Sequence, residues 1–335
     1  MKKQILTYSW LRVVWLLVLV AGVSLVSRAE MVSGINYTVT NSYPYTVEVS
    51  ALPSGNYSGD IVIPETVTIE VQGFYYGEFW TVNATVTGIG ESAFYGSSIT
   101  SISLPSTLQY IGESAFGNCI SLTSIDIPNS VTSLGWNAFY YCTNLTSVNI
   151  PSGVTELYGT FKGCSSLTEV TIPAAVRYLD EAFKSCTGLT SVVIPSSVED
   201  MGERSFYGCD NLTIVTCEAE NPPYCASLDC FSTPVYNNAQ LRVPGESVPY
   251  YSTANMWSQF THIIGAAQKG DVDGDGKVTI SDVTTLINSL LSNTASGVSG
   301  ADTDADGKVT ISDVTTLINY LLSGSWPSDE PEPEE

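Results

Sequence analysis

Between residues 89 and 217 apolar and polar positions alternate on a fixed clock. Phe94, Phe116, Phe139, Phe161, Phe183 and Phe206 recur at spacings of 22, 23, 22, 22 and 23, and Pro105, Pro128, Pro151, Pro173 and Pro195 keep the same time. One unit, Ile111 to Ser133, reads I-G-E-S-A-F-G-N-C-I-S-L-T-S-I-D-I-P-N-S-V-T-S. Its L-x-x-I-x-I stretch points Leu122, Ile125 and Ile127 inward and Ser124 and Asp126 outward, the alternation of a short strand. Pro128 has no N–H to give a ladder, so the strand ends there and the chain turns away. Ala115 and Phe116 anchor the return leg. Ordering one unit costs more than its few apolar side chains recover on burial, so no repeat folds alone and six must stack into a solenoid.

The outward strand positions are Ser101, Ser103, Ser124, Asp126, Ser147, Asn149, Glu169, Thr171, Ser191, Val193, Ile214 and Thr216, a mostly small and polar face. Tyr95, Tyr140, Tyr141 and Tyr207, beside the repeat phenylalanines, form a second candidate patch. Cys119, Cys142, Cys164, Cys186 and Cys209 obey the period, with Ser97 in the first rung. Neighbouring rungs lie about 4.8 Å apart, inside the roughly 4.4–6.8 Å Cα window of a disulfide. Bridges between rungs and a column of small buried thiols both satisfy that spacing. Cys217, Cys225 and Cys230 lie off the column, and an exported protein allows a Cys225–Cys230 bridge.

At the other extreme of patterning, residues 13 to 26 are an apolar run of 14 broken by Gly22 and Ser24, preceded by Lys2 and Lys3 and followed by Ser27-Arg28-Ala29. This is the design of a signal peptide cleaved before Glu30, too short for the about 20 residues that span a bilayer. The chain is thus expected to be secreted or at the cell surface, with no transmembrane helix after cleavage. Residues 324–335, ending Asp329-Glu-Pro-Glu-Pro-Glu-Glu, are too charged and proline-rich to pack and read as a disordered acidic tail.

Near the C-terminus the periodicity becomes helical. Val283, Leu286, Ile287, Leu290 and Leu291, then Val314, Leu317, Ile318, Leu321 and Leu322, each fall at i, i+3, i+4, i+7 and i+8 on one helix face. Ahead of them stand D-V-D-G-D-G-K-V-T-I-S-D from Asp271 and D-T-D-A-D-G-K-V-T-I-S-D from Asp302. Calcium takes six to eight hard oxygens, and acids at loop positions 1, 3, 5 and 12 converge only if the chain bends sharply at position 6. Gly276 and Gly307 stand there. The expected ligands are Asp271, Asp273, Asp275, the Lys277 carbonyl, Thr279 through water and Asp282 for one Ca2+, and Asp302, Asp304, Asp306, the Lys308 carbonyl, Thr310 through water and Asp313 for a second. The two copies agree at 19 of 22 positions.

Charge and composition narrow the function. The 335 residues hold 34 acids against 12 Lys plus Arg, and four of those bases precede Glu30, leaving a mature net charge near −26. Such a chain repels nucleic acid and attracts cations. One histidine, His262, leaves little for His-based catalysis or zinc. The acids are scattered over the repeats or committed to the calcium loops, so no paired carboxylates of a glycoside hydrolase stand out. The chain reads as non-catalytic.

The six units resemble the BspA-like leucine-rich repeats, whose unit carries the same A-F, C-x-x-L and I-P-x-x-V landmarks. More weakly, Gly59-Asp60-Ile61-Val62-Ile63-Pro64 resembles the segment such proteins place ahead of the first unit. Leu241-Arg242-Val243-Pro244 with Trp257 and Phe260 resembles their closing segment. The resemblance implies bacterial surface or secreted proteins of adhesion and binding. Asp at position 12, the duplicated loop-helix and the 31-residue offset look like a type I dockerin, the module that binds cohesin domains in cellulosome-like assemblies. In that family loop positions 10 and 11 help choose the partner, here Ile280-Ser281 and Ile311-Ser312. Near-identical halves would permit two docking orientations.

The expected architecture is a β-rich leucine-rich-repeat solenoid plus a small all-α dockerin module with two EF-hand-like calcium loops. Its parts are a signal peptide at 1–29, an N-terminal capping segment at 30–88, repeats at 89–217, a C-terminal capping segment at 218–268, the dockerin-like domain at 269–323 and the tail at 324–335. The expected partners are a cohesin-type domain and a ligand of the repeat face. The alternative is an accessory or catalytic component of a polysaccharide-degrading complex.

Overall fold

The computed structural model describes residues 30–72, 79–227, 229–266, 269–273, 278–292, 294, 295, 298 and 300–326. The signal-peptide run, Asp275, Gly276, Lys277 and the tail from 327 lie outside the described residues.

The chain opens with β1 (Glu30–Val32), β2 (Ile35–Ser42), β3 (Tyr45–Ser50), β4 (Ser58–Val62), β5 (Thr66–Gln72) and β6 (Phe79–Ile89). β2 pairs antiparallel with β3 and β5 with β6, while β3 and β6 run parallel, Val49 opposite Ile89. Val67, Ile69 and Val71 of β5 are buried and Thr66, Thr68 and Glu70 exposed, the period-two pattern of a half-covered strand. Two lines of pairing lead from these strands to the repeats, one from β6 of this sheet and one from β4, which stands outside it. β4 pairs parallel with β7 (Ser98–Ser103), and β6 pairs parallel with β8 (Tyr110–Ile111).

The repeats then contribute two ladders of short strands. The L-x-x-I-x-I stretches supply the first ladder: β7, β9 (Ser124–Ile125), β11 (Ser147–Val148), β14 (Ser191–Ile194) and β15 (Ile214–Cys217). The pairing β9–β11 and β14–β15 is parallel and in register. The second ladder was not legible in the period. It is built from the residues that follow the proline turn: β8, β10 (Ser133–Leu134), β12 (Glu156–Tyr158) and β13 (Tyr178–Asp180), continued by single bridges from Tyr178 to Asp200 and on to Tyr224. The return leg is therefore a strand, anchored by Ile111, Leu134, Leu157 and Leu179, all buried.

The Ala–Phe pair forms the third edge. Phe94 N–H donates to the Ala115 carbonyl, Phe116 to Ala138, Phe139 to Thr160, Phe161 to Ala182 and Phe183 to Ser205, at 2.7 to 2.9 Å. The rings stack in one column with centroids 5.1, 5.1, 5.5, 5.7 and 5.4 Å apart from Phe94 to Phe206. Tyr57 meets the column at one end and Phe231 at the other, where Tyr236, Trp257 and Phe260 pack edge-on against Phe231. The residues two before and two after each Phe have positive φ, for example Asn137 and Tyr141, or Glu181 and Ser185. These left-handed residues turn the chain into and out of the corner. Neighbouring rungs approach so closely that a Cβ on Gly135 would lie 2.4 Å from the Glu113 nitrogen.

Cys119, Cys142, Cys164, Cys186 and Cys209 are free and buried. Each thiol donates to a phenylalanine carbonyl of the preceding rung, at 3.0 to 3.2 Å. Burial pushes the thiols of Cys119, Cys164 and Cys209 up to about 12. Of the two readings of the column, this is that of small buried hydrogen-bonding residues.

After β15 come α1 (Thr233–Asn238), β16 (Gln240–Pro244), α2 (Val248–Thr253) and β17 (His262–Ala266), with β16 pairing parallel to β15 and β17 parallel to β16. His262 is exposed on the outermost strand, where its Nδ1 lies 2.8 Å from the Thr261 hydroxyl. Two helices complete the described chain, α3 (Ile280–Leu291) and α4 (Ile311–Ser323). Their core of Val272, Val283, Leu286, Ala301, Val314 and Leu317 is separate from the repeat core.

Candidate metal centre and docking face

Each terminal helix starts because a threonine and an aspartate satisfy its first N–H groups. The Thr279 hydroxyl accepts from Ser281 N at 3.1 Å, and Thr310 from Ser312 N at 3.1 Å, while Asp282 and Asp313 reach back to complete capping boxes. The same carboxylates also bind the loop. Asp282 Oδ1 accepts from Val272 N and Asp273 N at 2.7 and 3.0 Å, and Oδ2 accepts from Thr279 N at 2.7 Å. Asp313 repeats this with Thr303 N, Asp304 N and Thr310 N at 2.6, 3.2 and 2.7 Å. One buried carboxylate thus holds both the loop's start and the helix's first turn.

Of the four acids expected in each loop, three converge; Asp275 lies outside the described residues and Asp313 does not join the second set. One carboxylate oxygen each from Asp271, Asp273 and Asp282 lie within 4.8 Å of one another, as do those of Asp302, Asp304 and Asp306. In the second loop the bend is made by Gly307, at φ +82°, whose N–H donates to Asp302 Oδ2 at 3.0 Å. Lys308 N donates to Asp306 Oδ1 at 2.8 Å. The other oxygen of Asp302, Oδ1, is buried with no hydrogen-bond partner. A buried carboxylate oxygen without a donor is costly unless a cation serves it, and an all-oxygen acidic set suits a hard divalent ion. These residues fit calcium.

The expected partner residues stand at the surface. Ile280 and Ile311 are exposed, each at 72%. Ser281 and Ser312 are exposed as well; Ser281 also gives its hydroxyl to Asp273 Oδ2 at 2.5 Å, and Ser312 hydrogen-bonds Asp304, whose carboxyl that bond holds below its ordinary value. The serines therefore brace the position-3 carboxylates. The helical stripe splits. Val283, Leu286, Val314 and Leu317 are buried, but Leu291 and Leu322 stand 82% exposed, and Ile287 and Ile318 are exposed too. Two short helices packed on each other cover only the inner part of so wide a stripe. What remains is two matching sets of apolar side chains, one per half, which the common sequence pattern did not separate from the core.

Gly270 N donates to the Gly300 carbonyl at 2.8 Å, and Trp326 stacks on Tyr320 at 4.1 Å with Lys269 Nζ 5.1 Å above its ring. These contacts tie the two ends of the module together. On the repeats, the outward strand positions are exposed apart from Ile214 and Thr216, which are half-buried. Tyr95 and Tyr140 join through hydroxyls 3.1 Å apart, and Asn118 Nδ2 donates to both at 2.8 and 3.0 Å. Sequence reading missed a further aromatic pair, Trp136 stacked on Tyr158 at 5.2 Å with the Trp 56% exposed. Its signal was a tryptophan at a corner position where neighbouring units carry Glu91, Glu113 and Glu203.

Among the described residues no helix is long and apolar enough to cross a membrane. Residues 87–213 and 158–231 match the BspA type leucine rich repeat region, in six copies, and residues 269–322 match the dockerin type I domain. Similar solved structures include a leucine rich repeat protein of T. pallidum, at 22% identity and TM-score 0.46 over 64% of this chain and 86% of that one. Others are a leucine rich cell surface protein from Faecalibacterium prausnitzii, at 24% and 0.45 over 66% and 72%, and a leucine-rich repeat protein from Bacteroides ovatus, at 21% and 0.35 over 70% and 76%. No curated protein matches the chain. The chain carries a BspA-type repeat region followed by a type I dockerin domain.

Proposed function

We propose that this is an exported, non-catalytic binding protein whose repeats contact a ligand or surface. Its C-terminal module, loaded with two calcium ions, docks to a cohesin-type partner in a cellulosome-like or cell-surface assembly. The observation that carries the docking reading is the matched exposure of Ile280 and Ile311, and of Leu291 and Leu322, at equivalent places on two helices capped in the same way. An apolar side chain held out to water on a structured helix is a contact in waiting, and its duplication offers a partner the same face twice.

Asp271, Asp273, Asp275, Lys277, Thr279 and Asp282 would hold one ion and Asp302, Asp304, Asp306, Lys308, Thr310 and Asp313 the other. Bound calcium supplies the positive charge that lets clustered carboxylates share one loop. The chain's own part is to present them. Asp282 and Asp313 link loop order to the first helical turn, Ser281 and Ser312 aim the position-3 acids, and Thr279 and Thr310 cap. The repeat face offers small polar strand positions flanked by the Tyr95–Asn118–Tyr140 cluster and the Trp136–Tyr158 pair as the ligand surface. The export reading rests on residues 1–29 and on the company that both families keep at bacterial surfaces.

The test is retention of the full chain on an immobilised type I cohesin, read by surface plasmon resonance with calcium and then with chelator. Retention in calcium that is lost on chelation supports docking. Either single variant, Ile280→Asp or Ile311→Asp, is expected to keep most binding, and the double variant to lose it at least tenfold, about 1.4 kcal/mol. No retention, or retention indifferent to chelator, overturns the docking reading. Hydrolysis of a polysaccharide by the purified chain would overturn the non-catalytic one.

A further inference from the structure

Of the eight cysteines, seven are buried, and among the described residues Cys225 is the one half-buried thiol. It lies in the excursion between β15 and α1 that follows the last repeat. Both ends of this excursion are fixed to the final rung by main-chain bonds. Tyr224 N donates to the Glu199 carbonyl at 2.9 Å and the Tyr224 carbonyl accepts from Met201 N at 2.8 Å. The Cys230 carbonyl accepts from Phe206 N at 2.8 Å. Between these anchors the chain doubles back on one acceptor, the Gly202 carbonyl. Ala226 N donates to it at 2.9 Å, and Cys230 Sγ lies 3.5 Å from the same oxygen. The peptide bond that joins Cys225 to Ala226 is thereby brought beside the Cys230 sulfur, and the Cys225 thiol, 3.9 Å from the Pro223 carbonyl, feels the Cys230 thiol next to it. The column thiols are arranged differently: each donates to a different phenylalanine carbonyl. Cys217 is engaged by the Tyr251 hydroxyl at 3.2 Å.

We infer that Cys225 and Cys230 are a disulfide-forming pair, closed by a small-molecule disulfide as oxidant, which staples the excursion covering the last repeat. The exchange balances as two steps. Cys225, the reachable thiol, loses its proton and attacks one sulfur of the oxidant, forming a mixed disulfide and expelling one small thiolate. The Cys230 thiolate then attacks the Cys225 sulfur, closing the protein bridge and expelling the second small thiolate. Two electrons pass to the oxidant, and its two thiolates take up the two protons. The neighbouring Cys230 thiol and burial both push the Cys225 thiol up, so closure quickens as pH rises. Because the backbone is already held on both sides, the bridge forms without moving the final rung.

The experiment uses the full chain with oxidised glutathione, then iodoacetamide, digestion and mass mapping. The expected product is a 225–230 linkage lighter by two hydrogen atoms and free of alkyl label, while the five column cysteines take label only after denaturation. The Cys230→Ser variant should instead trap Cys225 as its glutathione adduct, and Cys225→Ser should leave Cys230 reduced. Alkylation of both Cys225 and Cys230 in the wild-type chain, a stable glutathione adduct on its Cys225, or a link from either residue to a column cysteine would each overturn the pairing.

Discussion

Glu181 stands between two of the few basic residues, accepting from Lys162 at 2.6 Å and from Lys184. Burial alone would raise its carboxyl, but the two ammonium hydrogen bonds outweigh that and hold it below the ordinary value. A depressed carboxylate adds stability that is complete above its unfolded pKa and drains away as pH falls through its native one. Glu181→Gln should therefore flatten part of the loss of stability below about pH 4.3, read as denaturation midpoints over a pH series. Ala305 is a strained point of another kind. It sits at φ +61° where the first loop has Gly274. A left-handed alanine costs roughly 1–2 kcal/mol, so Ala305→Gly should raise the melting point of the terminal module by relieving about 1 kcal/mol of it. At this scale the inward residues were legible because phenylalanine marks every turn, and leucine, isoleucine or valine, and cysteine mark nearly all. The left-handed corners were not, since Ser114, Asn137, Glu181 and Arg204 share a conformation and no chemistry. The bond of Ser281 to Asp273 was not legible, because a hydroxyl beside an acid reads the same whether it faces a partner or the acid.

The Phe column is the element that makes one rung depend on the next. Phe139 is buried, stacked 5.1 Å from Phe116 and 5.5 Å from Phe161, and its N–H bonds the Thr160 carbonyl. Phe139→Ala keeps the N–H and removes the ring, so the expected cost is about 3–5 kcal/mol, measurable by urea titration of the repeat transition. Leu145, at the first ladder, should cost about 2–5 kcal/mol as Ala. The first ladder was visible because three alternating apolar residues precede each proline. The second hid because its inward residues, such as Val131 and Leu134 or Val176 and Leu179, lie three apart and show no period of two, and tertiary pairing with the neighbouring rung, not local pattern, makes the segments strands. The helices α3 and α4 were legible in place and direction, while the division of their apolar stripe into buried and exposed halves follows from how little surface two short helices can cover.

Over the molecule, the two apolar cores share no residue, the one running from Ile35 to Phe260 and the other from Val272 to Leu317. Calcium removal should therefore lower the melting transition of the terminal module and leave the larger repeat transition in place, resolved by calorimetry with and without chelator. Coincident loss of both would mean that the modules fold as one unit. The larger core has a further consequence. From Phe94 to Phe231 each layer offers the next the same ring, a main-chain N–H and a main-chain carbonyl, at centroid spacings of 5.1 to 5.7 Å. Duplicating or excising one whole period leaves every surviving junction with its old chemistry. The span between the flanks is thus a ruler graduated in single layers, and a lineage can change its length by recombination within the gene without redesigning either end.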